Sequence, residues 1–443
     1  MKRIVLPFVL VTTAAWLAGL FIFPPGYSTR AVSHEFFYLS GTLAWGLMAI
    51  ALVIAARPAW LERVAGEPLD RLYGHHKTLG LWAIGLSVLH YFGKTVGGTV
   101  VSVVSLFGIE AAQVGRPVID QTGMNALEFF WSALRPVAVT SSIWATAFMV
   151  LLGVLALSKR IKYSSWLTAH RLFAVVFLVL SLHSVRLMDT TDFVSPFGWI
   201  NLVVTVVGVW ASVVILVKGA GASKSVPATV RAAEHAGGVT ILTVEPTKTF
   251  AAAPGQFAFL KVSGHEKHPF TIAGRTPEGG IVFAIKGLGD FTAALSETVK
   301  PGDAVEVEGP WGALTPETDV PNQVWVAAGI GIAPFLAWLE SERGDAAPAG
   351  TTLLWCVKSK TEEPLLARVE ALAKDAGAAL RIFESGGERL RPEVLFSETF
   401  PQLPSRLVCC AGAGLSEKLA RAWTRAGGRA QFQLGLFAHH VLV

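Results

Sequence analysis

Apolar residues fall into two regimes along the chain. Up to residue 217 they come in runs of about 20, the length that crosses a bilayer core as a helix. From residue 220 onward they come in short, alternating stretches broken by Gly, Pro and charged residues. Six runs stand out in the first regime, at 4–23, 35–56, 76–97, 138–158, 168–188 and 197–217, and each predicts a membrane span. The first follows Lys2 and Arg3, as a signal peptide would. Its apolar run is long and lacks a clear small-x-small cleavage site, so it is read as a span.

The second regime opens with "VTILTVEP", "GQFAFLKV", "HPFTIAG", "GIVFAIKGLG" and "DAVEVEGPWG". Short alternating strands with Gly and Pro turns predict an antiparallel barrel over 226–312. From Val324 strands alternate with helices: "VWVAAG", "FLAWLESE", "TTLLWCV", "EEPLLARVEALAKDAG", "ALRIF" and "SRLVCCAGAG". That order predicts a parallel α/β sheet. The predicted architecture is a six-helix transmembrane bundle (1–219), an antiparallel β-barrel (220–314) and an α/β parallel-sheet domain (315–443).

Composition and charge sharpen this picture. The chain is 52% hydrophobic and 16% charged, too apolar for an ordinary soluble protein, and the excess lies in the first half. The net charge of +5 is not gathered into a stripe, so nucleic-acid binding is not indicated. Lys2, Arg3, Arg57, Arg63, Arg71, Lys77, Lys159, Arg160, Lys162, Lys218 and Lys224 flank alternate ends of the spans. The positive-inside rule then predicts a cell-membrane protein with both termini and the soluble half in the cytosol. Cys356, Cys409 and Cys410 form no CxxC, which argues against a disulfide scaffold or a zinc site.

Ionisable residues within spans are functional candidates by default. His76 and His90 lie 14 apart on span three; His170 and His183 lie 13 apart on span five. These separations correspond to about 21 and 20 Å of helix, so two pairs would sit level near the two membrane faces. Neutral imidazole is an axial haem ligand, and two facing pairs would hold two stacked haems. Buried structural histidines and a proton relay are the alternatives; convergent zinc ligation fails because the pairs are too far apart. Fourteen residues keep His76 and His90 on one face. Thirteen leave His170 and His183 roughly 140° apart, which calls for a bend or tightened turn in span five, or for ligation from different sides. Arg171 and Arg186 adjoin the histidines and have two readings: partners for haem propionates, or members of the basic and snorkelling rim.

Glycine turns mark the soluble half. "AAGIGIAP" and "CAGAG" both end strands of the α/β sheet, at the carboxyl edge where such sheets bind ligands. Helix N-termini and close backbone amides there suit a diphosphate. In the barrel, the hydroxyl of Thr271 in "HPFT" can meet the edge of a flavin ring. "GLGDFT" opens a helix with amides suited to a flavin diphosphate.

Together these features resemble the ferric reductase and NADPH oxidase superfamily, transmembrane flavocytochromes b with a ferredoxin-reductase-like module. Three motifs carry the resemblance: the histidine spacings, "HPFTIAG" and "GIGIAPF". It implies that His76 and His170 hold an inner haem b and His90 and His183 an outer one. It implies that His268, Pro269, Phe270 and Thr271 line FAD, with Gly289 and Thr292 near its diphosphate and Phe437 stacked on the flavin. Gly329, Gly331 and Pro334 would shape the NADPH or NADH site, with Cys410 and Gly412 near the nicotinamide; Thr271 and Cys410 would flank the reacting atoms. Ala333, standing where the family often has Thr or Ser, and "CAG" for Cys-Gly-Pro are departures.

The implied activity moves electrons from cytosolic NAD(P)H through FAD and two haems to an outer acceptor, a ferric chelate or O2. A non-enzymatic membrane haem protein with a sensor or docking module is the rival reading, and a histidine-based transporter a third. No partner protein is indicated. Ser359 and Lys360 follow the second strand of the nucleotide sheet, and no acidic residue occupies that turn before Glu362. This leans the donor toward NADPH.

Overall fold

A computed structural model describes residues 3–22, 28–110, 125–158, 160–188, 192–317, 319–341, 347–400, 402–428 and 432–434. They form two compact units, one of residues 1–67 and 71–223, the other of 68–70 and 224–443.

The helical unit contains α1 (Val5–Ile22), α2 (Thr29–Ala56), α3 (Leu61–Ala65), α4 (Leu69–Tyr91), α5 (Gly93–Ser105), α6 (Ala126–Leu157), α7 (Tyr163–Arg186) and α8 (Pro196–Val213). Local sequence sets several ends. The Ser28 hydroxyl accepts from Ala31 N at the start of α2. Asn125 and Glu128 form a capping box on α6. Ser195 caps α8 with Pro196 in its first turn, where a missing N–H is harmless. Among the described residues five helices, α1, α2, α6, α7 and α8, are long and apolar enough to cross a membrane. The histidine-bearing α4 has comparable length, 23 residues, but Asp70, Arg71 and Lys77 make its first turns polar. Phe21, Trp144 and Val206 are exposed, as outward faces in hydrocarbon require, while α2 buries Ala44–Ala49 and Ala51–Ile54.

Several span boundaries differ from the sequence expectation; α2 and α7 start earlier, at Thr29 and Tyr163, and the third and fourth spans differ most. The third span, expected at 76–97, is α4 from Leu69, ending at Tyr91, with α5 starting afresh at Gly93. Its polar first turns are helical without being apolar, so hydropathy places the start too late. The fourth, expected at 138–158, begins earlier, at Ala126 after the Asn125 cap, and runs through Pro136. The connection expected at 98–137 is accordingly mostly helical where described.

The other unit begins with a closed barrel in the order β1-β2-β5-β4-β3-β6. Its strands are β1 (Ser225–Ala236), β2 (Val239–Pro246), β3 (Phe257–Val262), β4 (His268–Arg275), β5 (Ile281–Lys286) and β6 (Ala304–Trp311), with α9 (Asp290–Thr298) between the last two. The chain continues through β7 (Gln323–Ala328), α10 (Ala333–Leu339), β8 (Thr352–Val357), α11 (Leu366–Asp375), β9 (Ala379–Glu384), β10 (Arg406–Cys410), α12 (Ala413–Arg425) and β11 (Phe432–Leu434). The strands of this second sheet are parallel, in the order β11-β10-β7-β8-β9. The order reverses between β7 and β10, which defines the ligand edge.

Barrel and sheet share a core within this unit. Ala273 and Ala284 of the barrel join Trp325, Phe335, Trp338 and Trp355. Glu340, held by the guanidinium of Arg368, meets Gly274 of β4 so closely that a side chain at 274 would overlap its carboxylate. The barrel motif and the nucleotide-type turns are therefore parts of one packed body.

Candidate functional site

The four span histidines come together as two pairs. His76 Nε2 lies 3.5 Å from His170 Nε2, with ring centroids 5.8 Å apart. The rings of His90 and His183 are 6.2 Å apart. His76 Nδ1 meets the Ala51 carbonyl at 3.0 Å, and His90 Nδ1 meets the Phe37 carbonyl at 3.1 Å. A carbonyl only accepts, so each Nδ1 carries the proton and donates it. Each Nε2 is left with a bare lone pair, as a metal-binding imidazole needs. Both carbonyls belong to α2, and their separation along it repeats that of His76 and His90 in reverse order.

These residues fit a haem iron between each pair. Opposed nitrogens 3.5 Å apart stand close to the sum of two metal–nitrogen bonds of about 2 Å each. Among the described residues the Nδ1 atom of His170 is buried with no hydrogen-bond partner. Between its two histidines α4 carries the small residues Gly80, Ala83 and Ser87. A Cβ at Gly80 would meet nothing within 4 Å, so this stretch leaves room for a flat ring. Among the described residues no three His, Cys, Asp or Glu gather as a metal cluster; the donor sets are pairs.

Helix α7 is α-helical from Tyr163 to Arg186, without the tightened turn considered for the 13-residue spacing. The two rings leave it roughly 140° apart, and each still reaches its partner on α4. Trp166 stacks on His170 at 4.7 Å and 9°, fixing that ring. Midway between the pairs, Trp45 of α2 and Phe177 of α7 stack at 3.7 Å and 5°. The Trp45 indole donates to Thr205 Oγ1 at 2.9 Å. His75 belongs to neither pair; its Nε2 meets Glu67 Oε2 at 3.1 Å. Arg186 does not snorkel to a rim. It is buried, and its Nε donates to the Trp131 carbonyl at 2.6 Å. Arg171 is exposed.

In the other unit, Gly255, Phe257, Thr271, Gly312, Leu314 and Cys410 line one small cleft. The barrel's Thr271 and the sheet's Cys410, far apart along the chain, thus share a site. Alternation along β4 sends Phe270 into the barrel core, against Phe283, and leaves Thr271 for the cleft. His268 stacks on Phe291 at 4.0 Å and 11°. Burial, opposed by Glu266 and assisted by His265, holds its pKa below the usual 6.5. Pro269, partly buried, pairs with Phe259 of β3. The Thr292 hydroxyl accepts from Leu288 N and Gly289 N at 2.9 and 3.0 Å; it closes the turn that opens α9.

Gly329 adopts φ +51° at the end of β7, a region that favours glycine. A Cβ on Gly331 would overlap the Cys410 carbonyl, so only glycine lets the two strand ends approach. Pro334 is buried in the first turn of α10, and Gly412 precedes α12. Burial pushes the Cys356 and Cys409 thiols up to about 11; neither is a thiolate near neutrality. Phe437 lies outside the described residues.

The helical unit thus carries two imidazole pairs, and the second unit packs a barrel against a parallel sheet around one cleft. Residues 40–181 match the family model of the ferric reductase like transmembrane component, and 228–315 match a FAD-binding domain model. NADPH oxidase 3 of Homo sapiens is 38% identical over 121 residues, 24% of this chain and 21% of that protein. Dual oxidase 2 of Rattus norvegicus is 25% identical over 329 residues, 71% of this chain and 21% of that protein. The chain thus spans about a fifth of the length of these relatives. A ferredoxin NADP+ reductase structure from Neisseria gonorrhoeae, with bound FAD and NADP, aligns at 16% identity and a TM-score of 0.42, covering 48% of this chain and 98% of that one. Two regions of the chain thus match, in order, a ferric reductase like transmembrane component and a FAD-binding domain, and the chain is an integral membrane protein.

Proposed function

We propose that the chain is a transmembrane oxidoreductase that takes electrons from NAD(P)H, through FAD and two b-type haems, to an acceptor on the opposite membrane face. The observation that carries this reading is the pair of facing imidazole sets on α4 and α7, in one chain with the Thr271–Cys410 cleft.

His76 and His170 hold one haem, and His90 and His183 the other. FAD, when bound, supplies the conversion of a two-electron hydride into single electrons, and haem supplies one-electron relay. The chain's part is positioning. Ala51 and Phe37 hold the imidazole protons away from the iron side, and Trp166 fixes the His170 ring. Thr271 presents its hydroxyl in the cleft, and the Gly329–Gly331 turn brings the nucleotide to Cys410. One hydride serves two one-electron acceptors.

The basic residues between spans support six spans, α4 among them, with both termini and the second unit in the cytosol. The acceptor is then outside, as a ferric chelate or O2. The test is NAD(P)H-dependent superoxide formation and Fe(III)-chelate reduction by the purified, haem-loaded protein. Activity with either acceptor is expected; activity with neither overturns the reading.

A further inference from the structure

The donor's identity is written at the far end of the sheet. The order β11-β10-β7-β8-β9 puts the Gly329 turn at its centre, with Cys410 on one side. A dinucleotide with its diphosphate at that turn and its nicotinamide toward Cys410 must lay its adenosine across the ends of β8 and β9. Glu384 ends β9, level with Val357 of β8. It stands two strands from β7, about 10 Å away, where the adenosine ribose would fall.

The two strand ends are tied together. Ser385 N donates to the Val357 carbonyl at 3.0 Å. Lys360 N donates to Glu384 Oε1 at 2.9 Å. A carboxylate therefore occupies the turn after β8, although the turn's own sequence is basic. Lys358, Lys360 and Arg389 lie on the same edge. However, the Lys360 amide is taken by Glu384, Arg389 Nε donates to the Ser385 carbonyl at 2.8 Å, and Ser359 is paired with Thr361. A phosphate here would have to displace the carboxylate.

We propose that Glu384 reads the adenosine ribose and makes NADH the preferred electron donor. With Oε1 bound to Lys360 N, Oε2 remains to accept from a ribose 2′-hydroxyl. A 2′-phosphate, carrying a charge near −2, would meet like charge instead. This reading opposes the lean toward NADPH drawn from the turn alone. The acid comes from the end of the neighbouring strand, and scanning one turn could not find it. The inference rests on the functional reading above.

The test uses the full-length protein, loaded with FAD and haem, in anaerobic stopped-flow flavin reduction, with calorimetric binding of NAD+ and NADP+ alongside. Wild type is expected to favour NADH and NAD+ by at least about tenfold in affinity, a size set by one charge-assisted hydrogen bond. Glu384→Gln keeps an acceptor for Lys360 N. It is expected to lose most of that preference, binding NADH more weakly and NADPH more tightly than wild type does. Equal or better use of NADPH by wild type, or an unchanged ratio in Glu384→Gln, overturns the inference alone. Flavin reduction by neither coenzyme overturns the functional reading and this inference with it.

Discussion

The proton positions on His76 and His90 follow from their partner atoms. Four imidazoles are visible as letters in the sequence, and their spacing suffices to pair them. What prepares His76 and His90 is a pair of backbone carbonyls on α2, which have no letter and leave no trace in the sequence. Glycine supplies one indirect sign. A Cβ on Gly41 would lie 2.9 Å from His90 Cε1 and Nδ1, so Gly41→Ala should push that ring off the Phe37 carbonyl, an overpacking effect of about 1–3 kcal/mol. The expected result is an altered absorption or resonance signal from one haem, with the other unchanged; identical spectra would contradict it. His268 offers a second residue-level prediction. Its folded pKa is depressed below 6.5 by burial, so the unfolded chain takes up the proton more readily. Stability should therefore fall as pH drops below 6.5, and His268→Gln should flatten that fall in thermal unfolding between neutrality and acid. An unchanged slope would show that His268 does not contribute.

Among the elements, α6 shows how a rule-breaking residue is accommodated. Pro136 has no N–H for the Ser132 carbonyl one turn back, which normally ends or kinks a helix. Arg186 of α7 donates its Nη2 to that carbonyl at 3.4 Å and its Nε to the neighbouring Trp131 carbonyl, with the guanidinium 5.3 Å from the Trp131 ring. Arg186→Met should therefore destabilise the helical unit by about 1–3 kcal/mol. Pro136→Ala restores the helical donor, so the double variant should lose less than Arg186→Met alone loses from wild type. Thermal unfolding in detergent measures the cycle, and strict additivity would contradict the link. Sequence reading placed the span start after Pro136 because the compensating arginine sits at the far end of the next helix. It also passed over β1. "TVRAAEHA" is rich in Ala and charge and reads as helical, and only pairing with β2 and β6 makes it a strand. The strands that were legible, β2 to β10, owe their clarity to β-branched, aromatic and other apolar runs between turns.

At the scale of the whole molecule, the two regimes of hydropathy become two compact units with distinct tasks. The helical unit presents histidine pairs at two depths, with Trp45 and Phe177 packed between them. The other unit brings Thr271 and Cys410 into one cleft by packing barrel against sheet. Neither meeting is contiguous in sequence. The first was legible because a helix converts residue number into height. The second was legible only as two glycine turns on one sheet edge; its closeness depends on the missing side chain of Gly331. The central claim is that His76 with His170 and His90 with His183 each hold one haem along an electron path. The most direct test is haem content, with the reduced-minus-oxidised spectrum after NADH or NADPH addition, for wild type, His76→Ala and His90→Ala. Two haems per chain, both reduced in wild type, with one lost in each variant, is the predicted result. Two haems retained in either variant, or none bound by the wild type, would contradict it.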